Sequence, residues 1–146
     1  MSEEFDNSKT WLVFSVGEKK YALLASSVRE ILRDVPVFPL PFVPEYINGI
    51  LNRYGEPYAV VDPLPLLTGE AQNSKLFIVL HGKDHLCLKI SEVLEFFTTK
   101  DEEIKFFSLS DSGKYYVGSF GFEQDEVLIL NSQAFVEIVE KDVESA

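Results

Sequence analysis

The chain alternates short apolar runs with polar turns, which is the pattern of a protein built mainly from β-strands. Side chains of alternating character in Trp11–Val16 have the period of a half-buried strand. The turn residues Gly17–Lys20 and the apolar run Tyr21–Leu24 complete a predicted hairpin. Leu86–Ile90 alternates in the same way, whereas Leu76–Leu80 is apolar throughout and is predicted to be a central strand.

Residues that favour helix N-termini predict short helices between the strands. Ser27 followed by Glu30 matches a capping box, so a helix of about two turns is predicted to begin there. Asp62 precedes Pro63, and this pair predicts a second helix with Asp62 as its N-cap.

The C-terminal part of the chain is predicted to form further strands and one closing helix. Tyr115–Phe122 contains two glycines and is predicted to be a twisted or bulged strand. Asn131 or Ser132 is predicted to cap a helix that ends near Val139. Roughly nine or ten short strands with few helices favour a barrel or a sandwich.

One strand-turn-strand unit occurs twice. Trp11–Leu32 and Lys75–Phe97 each contain two apolar runs around a glycine turn and end in Val-x-Glu plus two apolar residues. The matching valines, Val28 and Val93, are 93 − 28 = 65 residues apart. This spacing exceeds the periods of solenoid repeats, so it predicts two similar half-domains.

Composition and charge narrow the class of protein. Hydrophobic residues make up 46% of the 146 residues, which is enough for one domain with a proper core. The polar stretch Thr68–Ser74 is the predicted boundary between two lobes. A net charge of −11 disfavours binding to nucleic acid or to an anionic membrane surface, because both require clustered Lys and Arg.

Targeting features and cysteine content favour a cytoplasmic protein. No apolar run is long enough to span a bilayer, and Met1–Thr10 lacks the features of a signal peptide. The single cysteine, Cys87, has no partner for an internal disulfide, which is consistent with a reducing compartment.

Candidate catalytic or metal-binding residues are sparse. His81, His85 and Cys87 form one candidate cluster, but no fourth ligand follows at a metal-site spacing, and no helix N-terminus or elbow activates the thiol. Asp62 is a candidate general base, although its capping role accounts for it without chemistry. We therefore expect no cofactor, no metal and no enzymatic activity.

An ordered set of motifs resembles the CheW family of chemotaxis coupling proteins. The strongest part is Pro-x-aromatic-Ile-x-Gly-hydrophobic-x-Asn, and the similarity extends almost throughout the chain, from Trp11 to Ile138. The residues that carry it are Trp11–Phe14, Gly17, Tyr21, Val28, Glu30, Ile31, Pro44–Asn52 and Ala59–Asp62.

The resemblance implies a mainly β fold of two small five-stranded SH3-like β-barrel subdomains with short helices. It places a single domain at residues 11–140, made of two intertwined lobes that meet near 68–74, with tails at 1–10 and 141–146. It also implies a non-enzymatic adaptor that joins the cytoplasmic tip of a chemoreceptor to the regulatory domain of a CheA-type histidine kinase. A hydrophobic groove between the lobes and exposed strand edges are the expected docking surfaces.

The residues expected to contact receptor or kinase lie in two parts of the sequence. Carried over from the family pattern, they are Val28, Glu30, Ile31, Gly49, Ile50, Asn52 and Tyr54. Tyr54 stands where the family usually has an arginine, and Arg53 precedes it. Because side chains alternate along a strand, Arg53 is predicted to point away, leaving Glu30 a hydrogen bond to Tyr54 instead of an ion pair.

Three other functions remain open from the sequence. The chain is also consistent with an adaptor of another CheA-type pathway, such as motility or pilus control. A small β-barrel enzyme that uses His85 and Cys87, or His81, is a second alternative. A sensor that binds a small ligand in the groove between the lobes is the third.

Overall fold

The computed structural model describes residues 7–68, 70–108 and 115–145, with side chains described as far as Asp142. Eleven strands and two α-helices lie in these ranges. The strands are β1 (Ser8–Val16), β2 (Lys19–Leu24), β3 (Val28–Arg33), β4 (Ile47–Arg53), β5 (Glu56–Val61), β6 (Leu76–Leu80), β7 (Leu86–Ile90), β8 (Glu92–Lys100), β9 (Lys105–Phe106), β10 (Tyr116–Phe122) and β11 (Asp125–Leu130). The helices are α1 (Leu64–Leu67) and α2 (Ser132–Ser145).

Two sheets form two lobes with matching strand orders. The six-stranded lobe has the order β8-β1-β2-β11-β10-β9, and the five-stranded lobe has the order β3-β6-β7-β5-β4. In each lobe one parallel pair stands among antiparallel pairs, β2 with β11 and β7 with β5. The two lobes therefore share one topology, with β9 as an addition to the first.

The lobes exchange strands reciprocally. After the β1–β2 hairpin the chain crosses to the other lobe, where β3 pairs with β6. After the β6–β7 hairpin it crosses back, and β8 pairs with β1. Val28 consequently lies opposite Leu80, and Val93 lies opposite Phe14. The repeat read from the sequence is thus confirmed as two structurally similar halves.

The repeated Val-x-Glu motif marks a β-bulge in each crossing strand. Val28 and Glu30 face consecutive residues of β6, so Arg29 is the extra residue of β3. Val93 and Glu95 face consecutive residues of β1, so Leu94 is the extra residue of β8. A bulge bends the strand and increases its twist, which lets β3 and β8 leave one lobe and enter the other.

The second hairpin of each lobe repeats a bulge and a glycine at matching positions. A Cβ atom on Gly49 of β4 would lie 2.2 Å from the carbonyl oxygen of Phe38. A Cβ atom on Gly118 of β10 would lie 2.6 Å from the carbonyl oxygen of Lys105. In both lobes the lack of a side chain on the glycine lets a neighbouring segment pair with the strand. In the five-stranded lobe Phe38 pairs with Ile50, and in the six-stranded lobe β9 pairs with β10.

Three hydrophobic clusters account for the packing of the described residues. One lies inside the six-stranded lobe around Trp11 and Phe120, and one inside the five-stranded lobe around Tyr58 and Cys87. The third and largest lies between the lobes and includes Phe135 of α2. Burial of this shared cluster makes the two lobes one body.

Several local predictions were wrong where pairing between distant segments decides the structure. Val28–Arg33 is a strand, not a helix, because its backbone bonds to β6, and only Ala25–Ser27 form a short 3-10 turn. β1 is buried on both faces, since Val13 packs inside its own lobe and Leu12 packs between the lobes. Cys87 of β7 is likewise buried, so that strand is not one-sided.

The predicted boundaries also differ from the structure. β5 and β6, on either side of the predicted boundary at 68–74, belong to the same five-stranded sheet, and the chain passes between lobes at Ala25–Ser27 and at Ser91 instead. β1 begins at Ser8, and residues 1–6 of the predicted N-terminal tail lie outside the described residues. α2 continues to Ser145, so most of the predicted C-terminal tail is helical.

Candidate functional site

The predicted contact residues lie on β3, on β4 and in the turn after β4, and β3 and β4 are the two edge strands of the five-stranded lobe. Val28 and Ile31 of β3 are half-buried and pack against the cluster between the lobes. Both therefore contribute to packing while they keep part of their surface at the rim of the interlobe core. A substitution at either position acts on the core as well as on the surface.

Three residues of β4 differ in exposure. Gly49 is buried against the backbone of Phe38, so its conformation is required by the fold. Ile50 exchanges two backbone hydrogen bonds with Phe38, of 2.7 and 2.9 Å, and its side chain is half-buried. Asn52 is exposed and lies opposite Pro57 of β5. Of the three, Asn52 is the most accessible to a partner.

Glu30 is joined to both residues at the end of β4. Arg53 Nε donates to Glu30 Oε1 at 3.0 Å, and Arg53 Nη2 forms a short contact with Glu30 Oε2. The Tyr54 hydroxyl donates to Glu30 Oε1 in a further short contact. The prediction that Arg53 points away from Glu30 was therefore wrong, while the predicted Glu30–Tyr54 hydrogen bond is present.

The turn geometry explains this difference. β4 ends at Arg53, which pairs with Glu56, and the two residues between them, Tyr54 and Gly55, have φ angles of +54° and +74°. Two successive residues with positive φ form the tight hairpin turn that matches the twist of the strands. Side-chain alternation does not hold through such a turn, so Arg53 and Tyr54 both reach Glu30.

The contacts shift the protonation equilibria of all three side chains. The hydrogen bond from Arg53 lowers the pKa of Glu30 most, and the hydrogen bond from Tyr54 adds to the effect. The hydrogen bond to Glu30 raises the pKa of Arg53, and it also raises the pKa of Tyr54. The carboxylate is therefore ionised and the guanidinium protonated at neutral pH.

Arg29 and Tyr58 complete this group and were not predicted from the sequence. The Arg29 guanidinium carbon lies 3.6 Å from the centre of the Tyr54 ring, and Nη1 of Arg29 donates to the Tyr58 hydroxyl at 3.3 Å. The Tyr54 and Tyr58 rings meet edge to face at 5.9 Å. The sequence contains one indication that Arg29 is special. The second copy of the Val-x-Glu motif has the apolar Leu94 at the position where the first copy has the charged Arg29.

The candidate catalytic group is only partly assembled, because His81 and His85 line one pocket of about 220 Å³ and Cys87 is not among its lining residues. Cys87 is fully buried inside the five-stranded lobe, and burial raises the pKa of its thiol to about 12. His85 precedes β7 with a positive φ, and its ring packs against Tyr58 at 4.9 Å. Among residues 7–68, 70–108 and 115–142, no three side chains of the His, Cys, Asp and Glu types converge as a metal site.

Asp62 has a structural role in a buried polar network. Its carboxylate accepts hydrogen bonds from the Leu64 backbone at 3.0 Å and from the Gln72 backbone and side-chain amides at 2.8 and 2.7 Å. Ser91 donates to Gln72 at 2.5 Å and accepts from the Gly17 backbone at 2.9 Å. The network ties the start of α1 to the point where the chain crosses between the lobes.

Two further findings bear on the alternatives. The shared hydrophobic cluster lies between the lobes, and a groove of about 620 Å³ lies on the five-stranded lobe, lined by Asp34, Asn48 and Lys75 among others. A smaller pocket of about 220 Å³ lies where the β6–β7 hairpin meets α2. Within the described ranges, no helix has the length and apolar character needed to cross a bilayer.

Comparison with known proteins identifies relatives of this chain. A chemotaxis protein CheW of Rhizobium meliloti (strain 1021) is 28% identical over 98 residues, which cover 64% of this chain and 63% of that relative. The crystal structure of the scaffolding protein TtCheW from Thermoanaerobacter tengcongensis superimposes with a TM-score of 0.76 at 25% identity, covering 84% of this chain and 88% of that one.

The structural likeness confirms the predicted fold class of two small SH3-like barrels. The predicted count of five strands holds for one lobe, and β9 adds a sixth to the other. Residues 10–140 match the family model of the CheW-like domain, which is nearly the whole described chain. The chain therefore belongs to the CheW-like domain family.

Proposed function

We propose that this protein is a non-enzymatic adaptor that couples chemoreceptors to a CheA-type histidine kinase. The match of residues 10–140 to the CheW-like domain carries the proposal, because it includes both lobes and the crossing strands between them. In this role the protein acts in the cytoplasm, at receptor arrays associated with the inner membrane. It binds the cytoplasmic tip of the receptor and the regulatory domain of the kinase.

Exposed apolar side chains on both lobes support a role in protein binding. Phe38 and Phe42 on the five-stranded lobe are 55% and 96% exposed, and Phe96 and Phe106 on the six-stranded lobe are 57% and 63% exposed. Aromatic side chains of this kind supply much of the binding free energy at protein interfaces. Their presence on both lobes suits a protein that joins two partners.

We assign the contacts with receptor and kinase to the face that contains β3 and the β4–β5 hairpin. Val28, Ile31 and Ile50 supply apolar contact, and the bonded pair of Glu30 and Tyr54 fixes the orientation of the partner. Gly49 contributes indirectly, because its lack of a side chain lets the backbone of Phe38 pair with β4. Asn52 provides an exposed side-chain amide. A few half-buried aliphatic residues are enough to anchor such an interface.

Co-sedimentation with receptor-containing membranes and purified kinase tests the proposal. The wild-type protein should sediment with the assembly, and Val28→Arg should not, because a charge at the rim of the interlobe core opposes docking. Thr98→Arg is the matched control, since it places the same charge on an exposed position of β8. Circular dichroism and thermal unfolding of each variant separate lost binding from lost folding.

The result that contradicts the proposal is a wild-type protein that sediments with neither receptor nor kinase. Replacing the chemotaxis kinase by CheA-type kinases of motility and pilus systems distinguishes the pathways. Binding to only one of those kinases would keep the adaptor role and assign it to that pathway.

A further inference from the structure

Arg29 occupies a position where the fold does not require a charged residue. It is the bulge residue of β3, left out of the ladder with β6, and its side chain is exposed. The matching bulge residue of β8, Leu94, is half-buried and packs against the core of the six-stranded lobe. A residue at this bulge can therefore be apolar and packed against the core. The bulge alone does not explain why the residue in β3 is an exposed arginine.

The Arg29 guanidinium is held in place by two tyrosines. Its carbon lies 3.6 Å from the centre of the Tyr54 ring, within the range of a cation–π contact. The one hydrogen bond of this side chain within the described part of the protein runs from Nη1 to Tyr58 at 3.3 Å. A guanidinium has five N–H donors in a rigid plane, so most of the donors of Arg29 remain available.

Arg29 has no ion-pair partner among the described side chains. Both oxygens of the nearby Glu30 are already bonded to Arg53, and one of them also to Tyr54. Glu56, which lies opposite Arg53 at the end of the hairpin, forms no ion pair with either arginine in the described structure. In a chain of net charge −11, two guanidinium groups here share a single bonded carboxylate.

We propose that Arg29 is a docking point for a carboxylate in an acidic segment of a protein partner. This inference rests on the proposed adaptor function and names the chemistry that one of its partners presents. A planar guanidinium held over the Tyr54 ring offers two parallel N–H groups, the arrangement that binds a carboxylate in bidentate fashion. A nucleic acid does not fit, because binding it requires clustered Lys and Arg, whereas one carboxylate requires only one available guanidinium.

Tyr54 then has a positioning role in this chain. Its ring supports Arg29, while its hydroxyl is bonded to Glu30, so one side chain links the unpaired arginine to the bonded pair. Tyr54→Phe keeps the ring under Arg29 and should weaken binding less than Tyr54→Ala does, since it removes only the hydrogen bond to Glu30. Tyr54→Ala removes the ring, leaves Arg29 mobile and should approach the effect of removing Arg29 itself.

Binding of full-length variants to the purified kinase and to a receptor cytoplasmic fragment tests the proposal. Arg29→Ala should weaken binding to one of these partners at least tenfold and reduce the salt dependence of its dissociation constant. Arg29→Lys should recover only part of the loss, because an ammonium cannot form the bidentate pair. The matched control is Arg33→Ala, an exposed arginine at the end of the same strand, which should bind as the wild type.

The outcomes separate the docking point at Arg29 from the adaptor function. Wild-type binding to both partners by Arg29→Ala overturns the docking point and leaves the adaptor function intact. Failure of the wild-type protein to bind either partner overturns both. Thermal stabilisation of wild type by millimolar inorganic phosphate, absent in Arg29→Ala, would identify a site for free anions and also overturn the docking of a protein carboxylate.

Discussion

Arg53 and Glu30 join the two edge strands of the five-stranded lobe. Nε of Arg53 lies 3.0 Å from Oε1 of Glu30, and the second guanidinium contact reaches Oε2. β4 and β3 are at opposite ends of the strand order, so this pair brings the two edges of the sheet together. In the other lobe the matching position holds Phe122, whose ring meets Phe97 of β8 at 5.0 Å. One lobe is closed by an ion pair and the other by aromatic packing.

The Glu30 ion pair predicts a specific loss of stability in acid. Its pKa lies below the ordinary value of 4.5, chiefly because of the hydrogen bond from Arg53. A lowered pKa stabilises the fold at pH values above 4.5, and this contribution disappears as the pH falls through the pKa of the folded state. Wild-type protein should therefore lose more stability between about pH 5 and pH 3 than Glu30→Gln does.

Urea unfolding of both proteins across that pH range is the measurement. Glu92→Gln is the control, since Glu92 is an exposed carboxylate without an ion pair in the described structure, and its pH dependence should match that of the wild type. Parallel pH profiles for wild type and Glu30→Gln would contradict the prediction.

Gly49 is predicted to be intolerant of any side chain. Its φ is +145°, and a Cβ atom would lie 2.2 Å from a backbone oxygen of Phe38. Gly49→Ala should therefore lower the free energy of unfolding by about 2–5 kcal/mol, because backbone strain and a steric clash add. Gly55→Ala is the matched control, with φ of +74° and open space around the position, and should cost about 1 kcal/mol. Equal losses in denaturant unfolding would show that the clash with Phe38 is relieved at no cost.

The buried network around Asp62 is predicted to stabilise the junction of the lobes. Asp62→Ala leaves three backbone or amide donors without their acceptor and should cost about 3 kcal/mol. Ser91→Ala removes the link from Gln72 to Gly17 and should cost about 1–2 kcal/mol. Because both residues bond to Gln72, the two losses should not be additive in a double-mutant cycle. Simple additivity in urea unfolding would refute the coupling.

Cys87 is predicted to be inert in the folded protein. Burial raises the pKa of its thiol from 9.0 to about 12, which reduces the reactive thiolate roughly a thousandfold at a given pH, and it also excludes the reagent. Labelling by a disulfide reagent at pH 8 should therefore proceed at the rate of unfolding and become fast in denaturant. Rapid labelling without denaturant would place Cys87 at an accessible site and reopen an enzymatic role.

Local sequence pattern predicted those elements whose partners are close in the chain. The hairpin of Trp11–Val16 with Tyr21–Leu24 was predicted because its strands are adjacent and its turn residues are characteristic. The two halves were predicted because Val28 and Val93 end similar units. The helix at Ser27 was wrong because a local capping pattern competes there with backbone pairing to Leu76–Leu80, which the local sequence does not reveal.

The candidate site was predicted in part for the same reason. The proximity of Glu30 to Tyr54 followed from the family resemblance, and the structure contains that contact. Strand alternation does not predict the ion pair with Arg53, because β4 ends at Arg53 and a turn with positive φ angles follows. The placement of Arg29 over the Tyr54 ring depends on a bulge and a hairpin that are brought together only when the sheet closes.

The amino-acid sequence by itself determined the β-rich class, the internal repeat and the membership of a family, because these depend on short-range periodicity and on residue order. Only the tertiary structure decided that the halves exchange strands, that β1 and β7 are buried on both faces, and that Arg29, Glu30, Arg53 and Tyr54 meet. These features arise from contacts between segments far apart in the chain. Such contacts depend on how two curved sheets pack against a shared core, which no local pattern specifies.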